Sequence, residues 1–458
     1  MASTASIQEQ VLLTMELIYL DIHVASLQGQ KEPVADPAAG SPSNSTTPAP
    51  TTKATTNIFA LTASRTLTSA HNALKAKKTQ PALPLQRLLN LAKSHGWMLL
   101  SICCHSIHFV EAANSGTTTT DNDNFVHWHH LTTLIHQNAL SLELFAKLRN
   151  LDWLSPIPAD LRPRSGGKLS LRPQHHATRI YPYVISQQGN SVYHPRYKGQ
   201  KQLDIPSSFY NPSTYHPPPH YQRQLDNDGA CAVCNNSSQP CTCTLSHLLL
   251  NTQLPPLLEL REYPPRGVGV RSLASIKAGT IIGQYIGEMR RLPAVPDSTY
   301  ALHHVIGDRS VCIIDARVYG NWTRYMNHSC RPNVVFWSAA VGMQTCVLVK
   351  AVRDVGVFEE ITVDYGNGYF GREGRVCRCG EGCRFGEGGG DDAGDGGERQ
   401  GGGEAGKGKG RERRRWRAKG RGLAGDGEEG AEGEGEGGGG GRVFLPFYKS
   451  LCAVQRFF

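Results

Sequence analysis

Apolar residues recur every three or four positions over the first third of the chain. Val11, Leu12, Met15, Ile18, Tyr19 and Ile22 fall on one face of a helix, and the same period returns over residues 58–74, 85–110 and 127–148. Residues 33–53, rich in Pro, Ser, Thr and Ala, read as a linker. Residues 1–155 are therefore expected to form a helical region. His127, His129 and His130 have no cysteine nearby, and Asp121 and Asp123 fall in a polar loop, so an interaction module fits this region better than a metal site.

The pattern then changes. Residues 156–228 are rich in Pro, Tyr, His, Gln and Asn, lack the aliphatic residues of a core, and read as an irregular linker that wanders over a neighbouring surface or stays disordered. From Leu254, short runs of β-formers follow one another at 280–286, 310–315, 333–337, 345–351 and 361–364, punctuated by Gly, Pro, Asn and Asp. This texture predicts a mostly β domain of short twisted sheets over residues 254–370. A cysteine-rich segment, 229–253, precedes it and another, 371–385, follows.

Beyond that point the chain is glycine with charge. Residues 386–441 hold 25 of the 49 glycines, and glycine orders at high entropic cost with nothing to bury. Residues 386–442 are thus expected to be a disordered low-complexity tail. Residues 443–458 turn apolar again, and the pattern assigns them no role. The tail holds 11 Lys and Arg against 13 Asp and Glu, so the net charge of +9 has its source elsewhere, in residues 156–385 with 25 basic against 16 acidic positions. The basic island at 407–421 fits nuclear import or nonspecific nucleic-acid contact, or else a solvated tail between acidic runs.

No run of about 18 apolar residues occurs, which is expected to rule out a spanning helix. Glu9, Glu16 and Asp21 likewise argue against a signal peptide, since no basic region precedes them. An intracellular chain with no membrane partner is expected. The 13 cysteines agree, because close-set cysteines in a reducing compartment are metal ligands more often than disulfides. Cys231, Cys234, Cys241 and Cys243 form one cluster, whose four thiolates fit one Zn2+ unless the loop's cysteines are incidental. Cys377, Cys379 and Cys383 form the other and supply three thiolates. Cys330 is a candidate fourth, because it sits in RYMNHSCRPN, a polar block that is costly to bury without partners.

Four segments together resemble the SET-domain protein lysine methyltransferases: YPPRGVGVRSLASIKAGTIIGQYIGE (263–288), IDARVYGNWTRYMNHSCRPN (314–333), EEITVDYG (359–366) and CRCGEGC (377–383), the last like the post-SET cysteine motif. The likeness covers about residues 254–385. It implies a pseudoknot-like, mostly β SET fold and methyl transfer from S-adenosylmethionine to a protein lysine, with histone tails as substrate and the nucleus as location. It implies that Gly267, Val268 and Gly269 approach the cofactor, that Asn327 and His328 bind it, and that Arg324 and Tyr300 lie beside it. Tyr365 matches the catalytic tyrosine, and Tyr285 would line the lysine channel. The competing expectation is an inactive SET-fold chromatin or protein-interaction module.

Three positions depart from the family pattern. Phe358 stands where a turn glycine is usual, which predicts a turn rebuilt around Gly356. The last two cysteines of the post-SET motif are separated by one residue fewer than usual. Val363, small and apolar, stands two residues before Tyr365, where an aromatic is frequent, and leaves room for more than one methylation.

Overall fold

The computed structural model describes residues 4–29, 57–76, 81–115, 122–163, 183–211, 222–225, 227–250, 256–291, 299–370, 375–380 and 383. The linker read at 33–53, the glycine-rich tail with its basic island, and the apolar C-terminal segment lie outside the described residues. The chain divides into two units, Met1–Gly394 and Asp395–Phe458, and every described residue belongs to the first.

The first third is helical: α1 (Thr4–Gly29), α2 (Ile58–Lys75), α3 (Leu83–His95), α4 (Trp97–Cys104), α5 (Ile107–Asn114), α6 (Asn122–Gln137) and α7 (Ala139–Leu148). The stretch expected to run unbroken over 85–110 is three helices. Gly96, at φ +90°, ends α3 in a conformation that glycine adopts without a Cβ penalty. Ser106 then caps α5, its Oγ accepting from Phe109 N at 3.1 Å and donating to Asp21 on α1 at 2.7 Å. The core runs through Met15, Ile18, Ile22, Leu67, Leu100, Leu131, Ile135 and Leu142. One expectation needs correction. Ile7–Gly29 is long and apolar enough to cross a membrane, because its average hydropathy, not an unbroken run, meets the requirement; about half of that stretch is buried in the helical core.

Residues 183–211 contribute six two-residue strands: β1 (Val184–Ile185), β2 (Val192–Tyr193), β3 (Arg196–Tyr197), β4 (Gln200–Lys201), β5 (Leu203–Asp204) and β6 (Phe209–Tyr210). After α8 (Leu245–Leu250) come β7 (Leu258–Tyr263), β8 (Gly267–Ser272), β9 (Ile281–Tyr285), β10 (Gly287–Arg290), β11 (Ala301–Ile306), β12 (Arg309–Gly320), β13 (Asn327–His328), β14 (Val334–Val341), β15 (Gln344–Ala351) and β16 (Glu360–Val363), then α9 (Asn367–Phe370). Four small sheets result among the described residues, in the orders β13-β16-β8-β7-β1-β2, β11-β12-β10-β6 with β5 beside β12, β14-β15-β9, and the hairpin β3-β4. The stretch read as wandering over a surface therefore extends two of these sheets, with β1 parallel to β7, β5 parallel to β12 and β6 parallel to β10.

The helical core does not stop at α7. Leu257, Leu273, Ala274 and Phe358, all from the β domain, pack into the same apolar cluster as the helices. A second cluster, built on Val270, Ile282, Trp322, Met326, Val349, Ile361 and Val363, lies within the β domain.

Candidate functional site

The site begins where β13 lies parallel to β16, with Asn327 opposite Thr362 and His328 opposite Val363. This pairing threads the polar Asn-His-Ser-Cys block beside the strand that ends at Val363, two residues before Tyr365, the knot that the SET resemblance implies. The buried asparagines there have partners. Asn333 takes the N–H of Thr362 on its Oδ1 at 2.8 Å and donates to the Glu360 carbonyl at 2.8 Å. Asn327 donates its amide to Glu360 Oε1 at 2.9 Å, and Arg266 holds Oε2 at 2.6 Å. Burial thus becomes affordable for a segment that would otherwise leave amides dry and unpaired.

Gly267 and Gly269 are needed for different reasons. Gly267 has φ +86°, a left-handed turn conformation, with open space where a side chain would be. Gly269 has ordinary φ but no room: a Cβ would sit 2.6 Å from Tyr263, 2.7 Å from Glu360 and 2.8 Å from Asn327. The half-buried Val268 lies between them on β8. Gly269, Asn327 and Glu360 therefore meet at one point, a polar wall lined by backbone.

Aromatic residues close the other side. Tyr365 N donates to His328 Nδ1 at 3.1 Å, and the Tyr365 hydroxyl donates to the Met326 carbonyl at 2.6 Å. The Tyr285 hydroxyl donates to the Tyr300 carbonyl at 2.7 Å. Burial pushes the Tyr365 phenol well above its ordinary value, and the nearby Tyr369, Tyr285, Tyr300 and Glu360 add to the rise. Burial raises Tyr285 in the same way. Neither tyrosine ionises at neutral pH.

Arg324, expected beside a cofactor, spends its guanidinium on backbone. It donates to the carbonyls of Asn321, Ala316 and Leu203 at 3.1, 3.0 and 2.8 Å, so it fastens β5 against the start of the knot. Residues that the motifs had not singled out share the site. Glu360 is its hydrogen-bond hub. Tyr369 packs edge-on against Tyr365 at 4.7 Å, and Phe370 lies 4.5 Å from His328. Tyr197 meets Tyr300 edge-on at 5.0 Å. Glu360 lay within a quoted motif, at the head of the strand Glu-Ile-Thr-Val, without being singled out; Tyr197 carried no signal, since it arrives from a distant segment.

Both cysteine clusters assemble. The ligand atoms of Cys231, Cys234, Cys241 and Cys243 all lie within 4.8 Å of one another. Sulfurs around a tetrahedral zinc stand about 3.8 Å apart, so this all-thiol set fits Zn2+. Burial raises the Cys231 thiol, yet the N–H groups of Cys234, Gly342 and Val233 outweigh it and bring the thiol down to about 6. The loop docks on the β14–β15 turn, where Gly342 N donates to Cys231 Sγ at 3.3 Å. In the second cluster, His328, Cys330, Cys377 and Cys379 also offer atoms within 4.8 Å of one another. Cys383 Sγ lies 3.9 Å from Cys330 Sγ, which brings five donors to a position that tetrahedral zinc fills with four. The shortened loop before Cys383 therefore still reaches the cluster. His328 joins the metal site to the tyrosine site.

Residues 267–366 match the family model of the SET domain. Histone-lysine N-methyltransferase EHMT1 of Mus musculus is 30% identical over 158 residues, covering 32% of this chain and 12% of that protein. The human histone-lysine N-methyltransferase described as H3 lysine-36 specific is 30% identical over 132 residues, 27% of this chain and 5% of that protein. The chain thus spans a small fraction of the length of these relatives. Among solved structures, KRYPTONITE in complex with mCHH DNA, an H3(1-15) peptide and SAH is 24% identical, with a TM-score of 0.32, covering 40% of this chain and 47% of that one. The chain carries a SET domain, at residues 267–366.

Proposed function

We propose that this chain transfers the methyl group of S-adenosylmethionine to the side-chain amine of a protein lysine, with histone tails as substrate and chromatin in the nucleus as the setting. The observation that carries the reading is the pair of tyrosine hydroxyls, Tyr285 and Tyr365, each donating to a carbonyl, with Tyr365 bonded to His328 of the knotted Asn327–His328 segment. Histone-lysine N-methyltransferases among the relatives support the substrate class.

When bound, S-adenosylmethionine supplies a methyl group on a cationic sulfonium. The backbone of Gly267, Val268 and Gly269 would hold it together with Asn327 and His328; the space beside Gly267 is open, and the missing Cβ of Gly269 lets Asn327 and Glu360 pack directly on β8. Because the Tyr285 and Tyr365 protons point at carbonyls, both phenol oxygens meet an incoming amine as acceptors. They orient it through its N–H bonds and leave its lone pair free for the methyl carbon. Tyr365 stays protonated and so orients the amine without serving as base. Deprotonating a free lysine near pH 7.4 costs about 4 kcal/mol, and a water-poor aromatic channel lowers that cost by disfavouring the ammonium. Alignment supplies the rest.

In this reading Cys330, Cys377, Cys379 and Cys383 hold one zinc and Cys231, Cys234, Cys241 and Cys243 a second, both as structural staples. Val363, buried in β16, leaves space beside Tyr365 for a methylated amine. Nonspecific nucleic-acid contact through the basic island at 407–421 is a further element of the proposal. The test is incubation with labelled S-adenosylmethionine and mixed histones, followed by digestion and mass spectrometry. Label on lysine side chains, reaching the di- or trimethyl state at exhaustive turnover, is expected; monomethyl product alone would remove the role given to Val363. Cofactor binding without transfer to any histone would favour an inactive interaction module.

A further inference from the structure

We propose that Phe358 is a positioning residue, through which the helical module holds the β8–β16 wall of the pocket in its working geometry; the proposal rests on the methyltransferase reading above. Phe358 has φ +63°, a left-handed conformation that costs a residue with a bulky Cβ and costs glycine nothing. The turn is therefore not rebuilt around Gly356. It keeps the backbone shape of a glycine turn while carrying a phenylalanine, so something must hold the ring.

Two contacts do. The ring meets Tyr19 of α1 edge-on, at 6.1 Å and 82°, and the Arg271 guanidinium lies 4.5 Å from its centre. Behind them runs a buried polar chain. The Tyr19 hydroxyl pairs with Ser141 Oγ at 2.7 Å, Ser141 donates to Glu259, Glu259 pairs with Arg271, and Arg271 donates to Asn138 Oδ1 at 2.7 Å. Tyr19, Ser141 and Asn138 belong to the helical region; Glu259 and Arg271 face each other across β7 and β8.

On the other side, the turn continues into the pocket. Phe358 N donates to the Ser272 carbonyl at 2.8 Å, and Ser272 N returns a bond to Glu359 O at 3.0 Å, which sets β16 against β8. The next residue, Glu360, holds Asn327 and Arg266. A ring gripped by α1 thus lies two peptide units from the carboxylate that fixes the cofactor-side amide. Were the ring only tolerated there, glycine would be the better residue for this turn.

The full chain tests this by titration with S-adenosylmethionine, alongside zinc content, melting midpoint and steady-state kinetics. Phe358→Gly should weaken cofactor affinity about tenfold and raise its KM, with the histone-peptide KM and the zinc content unchanged. Phe358→Tyr should restore wild-type affinity. Tyr19→Ala, made in the helical region, should give a loss of the same size, and the double variant should be little worse than either single one. Should Phe358→Gly fail to fold, Ser141→Ala interrupts the same chain with less loss of packing and should again lower cofactor affinity before peptide affinity. A Phe358→Gly chain that binds cofactor like wild type and melts higher overturns the proposal alone. A wild-type chain that binds no S-adenosylmethionine overturns the methyltransferase reading and this proposal with it.

Discussion

Helices α1–α7 and the β domain bury polar groups in different ways. In the helical region buried polar groups such as His23, Arg87, Ser101, His105 and Glu143 are scattered among apolar side chains, and Tyr19, Asn138 and Ser141 face β7 and β8. In the β domain polar groups are buried along the whole knot: Arg324, Asn327, His328, Asn333 and Thr362 all have little exposure. A buried polar group is retained where hydrogen bonds satisfy it, and such a network fixes one arrangement of the backbone. The difference teaches where chemistry can reside. The β domain holds the candidate site, and the helices meet that domain through a polar face and a shared apolar core.

The largest expected effect separates the two regions outright. The β domain should bind two zinc ions per chain and the helical region none. Cys379→Ser should remove one equivalent and lower methyl transfer by about a hundredfold or more, since His328 and Tyr365 adjoin that cluster. Cys231→Ser should remove the other. Metal analysis finding the same content in both variants and wild type would break this part of the comparison.

A smaller effect tests the shared core. Leu142 is fully buried in α7, within the cluster that also contains Leu257 and Leu273. Leu142→Ala should cost about 2–5 kcal/mol. If the two regions unfold together, calorimetry will show one transition for residues in both, moved as a whole. Two transitions, of which only one moves, would mean that the helices stand apart.

The smallest effect is a pH dependence present in both regions. Burial, aided by Arg149, lowers His23 to about 4, and burial, aided by Arg309, lowers His304 to about 4. Each folded-state value lies below the ordinary 6.5, so the unfolded chain binds these protons first. The stability associated with both neutral imidazoles is complete above pH 6.5 and is lost as pH falls toward 4. Melting midpoints measured across that window, with zinc content followed in parallel, should fall as the pH is lowered; a flat profile would contradict the burial assigned to both.

What the sequence made legible follows the same division. Helical periodicity located the first third of the chain, but not its breaks: Gly96 and Ser106 act through a single φ angle and a single capping bond, which an apolar stripe does not reveal. In the β domain, the order of four motifs pointed to Tyr365, Asn327 and the second cysteine cluster, while close cysteine spacing alone pointed to the first; the structure brings the members of each cluster together. The pairing of β1, β5 and β6 was illegible, since two-residue strands are specified by the distant edges they meet. Phe358 was misjudged for a related reason. A turn residue read alone obeys backbone preference, whereas here a ring from the β domain meets a tyrosine more than three hundred positions earlier.

The central claim, lysine methylation at the Tyr365 site, is tested most directly by comparing wild type and Tyr365→Phe for transfer from labelled S-adenosylmethionine to mixed histones. Transfer by wild type, reduced about a hundredfold or more in the variant with cofactor affinity preserved, is the result expected when the hydroxyl orients the amine. Equal rates in the two proteins, or cofactor binding without transfer by either, would contradict it.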